Sequence, residues 1–295
     1  MKGRAALAAA IAVAALVIGG AYWAFFVRPE SHSDAPAAAP ETLAVVQLEG
    51  GVEVAGDDGV FHPAAAGTRL SAHDRIRTAD DGGAVLRASD GSTVKLSGAT
   101  EARVDELRRE LKRLALRGGM IEADVPDDPA RLFEVSLDDQ GGAARTRGAA
   151  FTASADGSGA IVGARRGEVI LSSHGREVVI RSGQFARFQS GAPPEAPQPI
   201  PPSLFLKVDW PASPSRQKQL EVAGKTDPGA RVQVDGHWVP VGRDGSYRAK
   251  VALPDGSHEL RVRAADVGGH VVDEKSPKIV IDSRTDFTVH PQKWK

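Results

Sequence analysis

The chain contains no cysteine among its 295 residues. That absence excludes disulfides, thiolate metal ligands and a cysteine nucleophile, and with them the lipidated cysteine by which a bacterial lipoprotein holds to its membrane. A surplus of charge is also missing, because 37 basic residues nearly cancel 38 acidic ones to leave a formal charge of -1. No global field draws a polyanion and no basic tract marks a nucleic-acid surface, so DNA and RNA are not expected partners. Closely spaced histidines are absent too. His32, His62, His73, His174, His237, His258, His270 and His290 never stand at the spacing of a helical zinc pair, and they are expected on loops and surfaces. The sequence calls for no metal and no cofactor.

What is present begins with one long apolar run. From Ala5 to Val27 no charged side chain occurs, and at about 1.5 Å per helical residue such a run crosses roughly 30 Å of hydrocarbon. Lys2 and Arg4 precede it, whereas after Arg28 the next arginine or lysine is Arg69. The positive-inside asymmetry then leaves the N-terminus in the cytoplasm and exports the rest. Tyr22, Trp23, Phe25 and Phe26 sit at the far end, where aromatic rings favour the membrane boundary. A cleaved signal peptide, with Gly19 to Ala21 as its cleavage site, is the rival reading, and the length of the run favours a retained anchor. The expected address is the bacterial inner membrane, single-pass, with the bulk periplasmic.

Composition divides the remainder. The anchor (1–28) is followed by a Pro-, Ala- and Ser-rich tether (29–42), a first β-rich domain (43–190), a proline-rich linker (191–203), a second β domain (204–283) and a short tail (284–295). In the first domain, short apolar alternations such as Val52-Val54, Val94-Leu96, Val169-Leu171 and Val178-Ile180 are punctuated by Asp58-Gly59, Asp81-Gly82 and Asp90-Gly91. Asp-Gly supplies the positive φ of tight turns, so the expected class is mainly β. Glu106 to Arg113 fits either a short helix or a charged strand pair, exposed to solvent. Glycine before a strand recurs at Gly50-Gly51, Gly118-Gly119 and Gly167, which suggests repeated sheet layers rather than a strict solenoid.

The order of several pieces carries a resemblance. Gly67-Thr68-Arg69-Leu70 leads to Asp74-Arg75-Ile76-Arg77-Thr78, then Ala84-Val85-Leu86 and Asp90-Gly91-Ser92-Thr93-Val94-Lys95-Leu96; later come Thr146-Arg147-Gly148-Ala149-Ala150-Phe151, Arg166-Gly167-Glu168-Val169 and Ser182-Gly183-Gln184-Phe185-Ala186. From about Leu43 to Gln189 the chain resembles the FecR-type periplasmic domain of bacterial envelope regulators. The resemblance implies protein interaction: the namesakes are inner-membrane proteins that relay a signal from an outer-membrane transporter to a cytoplasmic sigma factor through a cytoplasmic N-terminal domain. Here only Met1 to about Arg4 precedes the apolar run, so direct anti-sigma activity is not expected.

In the second domain, Gly224 to Val232, Asp244-Gly245-Ser246-Tyr247 and Asp255 to Leu260 resemble bacterial immunoglobulin-like repeats, which implies a β-sandwich serving as spacer or adhesion unit. Trp210 and Trp238 are its candidate binding residues. They would form a sugar-stacking platform, against the alternative that at least one fills the core. Ser92 and Lys95 have the Ser-x-x-Lys spacing of penicillin-binding enzymes, but on a strand pattern and without the companion motifs, and no catalytic residue is expected. The acidic pairs Asp57-Asp58, Asp80-Asp81, Asp127-Asp128 and Asp138-Asp139 are read as turn residues rather than calcium ligands. The sequence thus leads to a non-catalytic, membrane-anchored envelope protein whose FecR-like domain binds protein partners as a scaffold or sensor. The alternatives are a cell-wall or polysaccharide binder and an indirect relay linked to sigma-factor regulation.

Overall fold

A computed structural model describes residues 41–137 and 141–283. The expected anchor and tail, and the pair Asp138-Asp139, lie outside the described residues. Among the described residues there is no helix, hence none long and apolar enough to cross a membrane. The described chain falls within one compact unit.

In chain order the strands are β1 (Leu43–Glu49), β2 (Val52–Ala55), β3 (His62–Pro63), β4 (Arg69–Leu70), β5 (Arg75–Thr78), β6 (Gly83–Ala88), β7 (Thr93–Leu96), β8 (Glu101–Leu107), β9 (Leu111–Val125), β10 (Leu132–Leu137), β11 (Gly142–Thr146), β12 (Ala149–Ala155), β13 (Gly159–Ser173), β14 (Arg176–Arg181), β15 (Gln184–Gln189) and β16 (Gln198–Pro199). The second region adds β17 (Leu206–Asp209), β18 (Gln219–Thr226), β19 (Arg231–Val234), β20 (His237–Val239), β21 (Ser246–Ala252), β22 (Gly256–His258), β23 (Arg261–Ala265), β24 (Val271–Lys275) and β25 (Ile279–Ile281).

The first domain is two sheets that share two strands. Sheet A runs β16-β15-β13-β12-β9-β7-β6-β1-β4 and sheet B runs β3-β2-β5-β8-β9-β10-β11-β13-β14. All pairs are antiparallel except β9 with β10. The shared strands are long because each belongs to both sheets: β9 pairs in sheet B up to Gly118 and in sheet A from Gly119, and β13 passes from A to B after Gly167. The recurrent glycines mark these passages, and Gly50-Gly51 does the same between β1 and β2. At Gly119 the requirement is strict, because φ is +98° and a Cβ would lie 2.5 Å from the Thr100 Cα. Alternate residues of both sheets face inward, so Leu43, Leu86, Leu96, Val104, Leu116, Ile121, Phe151 and Leu171 form one core.

Glu106 to Arg113 is the charged strand pair, not the helix: β8 and β9 flank the turn at Arg108 to Glu110. Lys112, on β9, is nearly buried, yet its Nζ meets Asp90 at 2.7 Å. Asp90 lies in the β6–β7 turn of sheet A, so this ion pair ties the two sheets. Burial alone would raise the Asp90 pKa, but the bond from Lys112 and the Ser92 amide outweigh it and hold the carboxyl below its ordinary value.

The second region builds its own core from Leu220, Val222, Val232, Tyr247, Leu260, Val262 and Ile281, under sheets β17-β18-β21 and β20-β19-β23-β24 and the pair β22-β25. The proline-rich segment between the domains does not stand free. Gln198 and Pro199 pair with Phe185 and Gln184, and the Ile200 amide donates to the Gly183 carbonyl at 2.8 Å.

Candidate functional site

Two surfaces of the first domain differ in what covers them. Farther along sheet A the outer face is charged and exposed, with Lys95 against Glu122, but its β12–β13 part lies under the second domain. Residues that point away from the core there are small or apolar: Thr152 and Ser154 on β12 stand in register with Gly163 and Ile161 on β13, and all four are buried. A Cβ on Gly163 would come within 2.9 Å of Val267, and one on Gly229 within 2.8 Å of Ile161, so the two domains touch at van der Waals distance.

A polar clamp completes this junction. Trp238 Nε1 donates to the Asp80 carbonyl at 3.1 Å, Gln233 Nε2 to the same carbonyl at 3.2 Å, and Arg231 Nη2 to the Gly98 carbonyl at 3.1 Å. The His237 ring lies 2.9 Å from the Asp80 carboxylate. The Arg231 guanidinium stacks 4.0 Å from the centroid of the Trp238 ring. Desolvation lowers the Arg231 pKa to about 10, against the opposing field of Asp80. The clamp grips the corners where the chain turns between sheets, which are themselves fixed by Thr78 and Thr100: Thr78 Oγ1 donates to the Ser97 carbonyl at 2.6 Å and the Met120 amide to Thr100 Oγ1 at 3.1 Å.

An open cleft of about 820 Å³ follows the junction, with Arg77, Arg117, Arg187, Arg231 and Arg243 on its walls beside Glu101, Asp156 and Glu195. Three of these cations are already matched, to Glu53 at 2.6 Å, Glu101 at 3.2 Å and Glu195 at 2.9 Å. The cleft is therefore close to neutral rather than an anion trap.

Sheet B presents the opposite case. Its outer face carries one row of directly opposed residues, Glu106, Arg113, Glu134, Arg145, Ile170 and Val179, on six successive strands. Glu134 is clamped by Arg113 Nε and Arg145 Nε, each at 2.7 Å, and Arg113 reaches on to Glu106 at 3.3 Å. The row then turns apolar, and Ile170 and Val179 are each 39% exposed.

That end of the row is also the end of the sheet. Among the described residues, the four edges of the first domain are β3, β4, β16 and β14. The first three are two residues long, and β3 and β16 contain proline, which blunts an edge against further pairing. β14 has six residues and pairs on one side only. It is held out by a two-residue turn in which His174 and Gly175 both have positive φ, 48° and 74°, the geometry that matches strand twist. Val178 and Ile180 face the core, whereas Glu177, Val179 and Arg181 face solvent.

The residues singled out from the sequence are dispersed. Trp210 is half-buried against the core of the second domain, while Trp238 is the junction anchor, so the two tryptophans serve different surroundings. Ser92 is buried just before β7, and Lys95 points outward to Glu122 at 3.5 Å. Asp58 and Asp128 accept from backbone amides two residues on, at 3.1 and 2.9 Å, as turn residues do. No group of three or more metal-ligating side chains occurs among the described residues. Arg231 and Gln233 carried no local signal in the sequence. The turn of the β14 hairpin was not read from the sequence either, where the available signal was Gly175 between the apolar alternations Val169-Leu171 and Val178-Ile180.

The family model described as FecR protein matches residues 74–170, and the chain carries that domain. No curated protein matches. Two crystal structures titled "putative anti-sigma factor" from Parabacteroides distasonis ATCC 8503 are similar at 15% and 16% identity and a TM-score of 0.38. The likeness covers 42% of this chain and 59% of theirs, so the chain spans little over half of those proteins. Fibronectin(III)-like modules of Clostridium thermocellum CbhA are similar at 16% identity and a TM-score of 0.24, covering 65% of this chain and 100% of theirs.

Proposed function

Because residues 74–170 form a FecR domain, we propose that this chain is a non-catalytic signal-transduction or scaffold protein of the bacterial envelope, which recognises another protein through the open edge of β14. The observation that carries the reading is that edge. Among the described residues three edges of the domain are blunted, and the fourth offers a six-residue strand that pairs on one side only, its Arg181 amide turned to Gln184 Oε1 at 3.0 Å, beside two exposed apolar side chains. On this reading the apolar run from Ala5 to Val27 anchors the chain in the inner membrane, with the β domains in the periplasm.

The second domain then acts as an immunoglobulin-like unit whose contact with sheet A fixes the orientation of the β14 edge. A paired-tryptophan platform for polysaccharide is the weaker reading, since Arg231 lies over the Trp238 ring and its indole N–H is already committed. The test is photo-crosslinking in cells from a reactive side chain placed at Val179, with Val60, an exposed loop residue, as control. A protein adduct at Val179 and none at Val60 is the expected result. Absence of any adduct at Val179 overturns the proposal.

A further inference from the structure

The sequence of β14 complements itself, and we propose that the strand which fills its edge is β14 of a second copy of this chain. The inference rests on β14 being an interaction edge and adds the identity of its occupant. Residues Arg176 to Arg181 read Arg-Glu-Val-Val-Ile-Arg. When two such strands run antiparallel about a two-fold axis through Val179, residue 177 of one lies opposite residue 181 of the other.

The solvent face then places Glu177 against Arg181 twice, once on each side of a Val179–Val179 contact. The inner face places Val178 against Ile180 twice. Every opposed pair among residues 177 to 181 is therefore oppositely charged or apolar, which is what cross-strand pairing rewards. A two-fold interface needs one patch that matches itself, and this strand supplies it.

The row across sheet B extends the argument. Its alternating charges stop at Arg145, and Ile170 and Val179 follow. Both apolar residues are left exposed at the edge of an isolated chain. Pairing through β14 puts the two exposed couples side by side at the centre of one continuous sheet. The contact is small, below the roughly 1,200 Å² of a standard interface, so the pairing is reversible and rises with local concentration, which a shared membrane raises.

Single-cysteine variants test this cleanly, because the chain has no cysteine of its own. The full chain in mild detergent carrying Val179→Cys is treated with a short thiol-to-thiol crosslinker, with Val60→Cys as control. A dimer band from Val179→Cys and none from Val60→Cys is expected. In the same background, Glu177→Arg sets two arginines against each other on both sides of the axis and should weaken association about tenfold. Arg181→Glu should do the same, and the two together should restore the dimer. A dimer band unaffected by either reversal, or a double variant no better than the singles, overturns the assigned register. If Val179→Cys gives no dimer while the in-cell adduct at Val179 contains a different protein, the edge is an interaction site but its occupant is not a second copy; if neither forms, the edge itself is not used.

Discussion

The outer faces of sheets A and B belong to one domain and share two strands, yet they are dressed for different surroundings. On sheet A the outward positions of β12 and β13 hold Thr152, Ser154, Ile161 and Gly163, all buried beneath the second domain. On sheet B the outward row holds Glu106, Arg113, Glu134 and Arg145, bonded into a ladder and wet at its margins. A charge on the first face would have to shed water with no partner to replace it, whereas a ladder tolerates exposure on one side. The lesson is that outward-facing composition tells which side of a sheet is closed by its own chain and which remains available.

That contrast yields predictions of decreasing size. The largest concerns the tie between the sheets. Asp90→Asn removes the carboxylate facing the nearly buried Lys112, and a loss of about 3 kcal/mol at neutral pH is expected from urea unfolding. The Asp90 pKa is depressed on folding, so its contribution is present above the ordinary aspartate value of 3.8 and is lost as pH falls through the lower folded value. The gap between the two proteins should therefore close only in strong acid.

On the closed face, Gly163→Leu drives a side chain into Val267 and should cost about 2–3 kcal/mol through overpacking. Val179→Ala on the open edge should cost no more than about 0.5 kcal/mol. Equal costs at the two sites would erase the distinction between the faces. Trp238→Ala should cost about 2 kcal/mol by emptying a half-buried junction site, and limited proteolysis should then cut within residues 191–203. Glu134→Gln weakens a carboxylate held by two partly exposed arginines and should cost about 1 kcal/mol, less than the changes at the junction and more than Val179→Ala.

Much of the fold was legible because β structure writes itself locally. Val52-Val54, Val94-Leu96, Val169-Leu171 and Val178-Ile180 all fall in strands, and Asp90-Gly91 sits in the hairpin turn between β6 and β7. Asp81-Gly82 has the same dipeptide but turns a corner between sheets, because β5 belongs to sheet B and β6 to sheet A. The glycine recurrences at Gly50-Gly51, Gly118-Gly119 and Gly167 were visible as a pattern, and their meaning as sheet crossings needed the strand register. The junction was not legible. Trp238 meets Asp80 across 158 positions, and no short-range pattern encodes such a contact. β12 gave an indirect sign, since a strand without a charged residue from Ala149 to Ala155 must be covered on both faces.

Hydrogen exchange of the full chain at two protein concentrations tests the closed and open faces together. The account predicts that amides of residues 231–239, at the junction, are protected equally at both concentrations. Amides of β14 should gain protection at the higher concentration and lose that gain in Glu177→Arg. Concentration-independent exchange along β14, or rapid exchange at the junction, would contradict it.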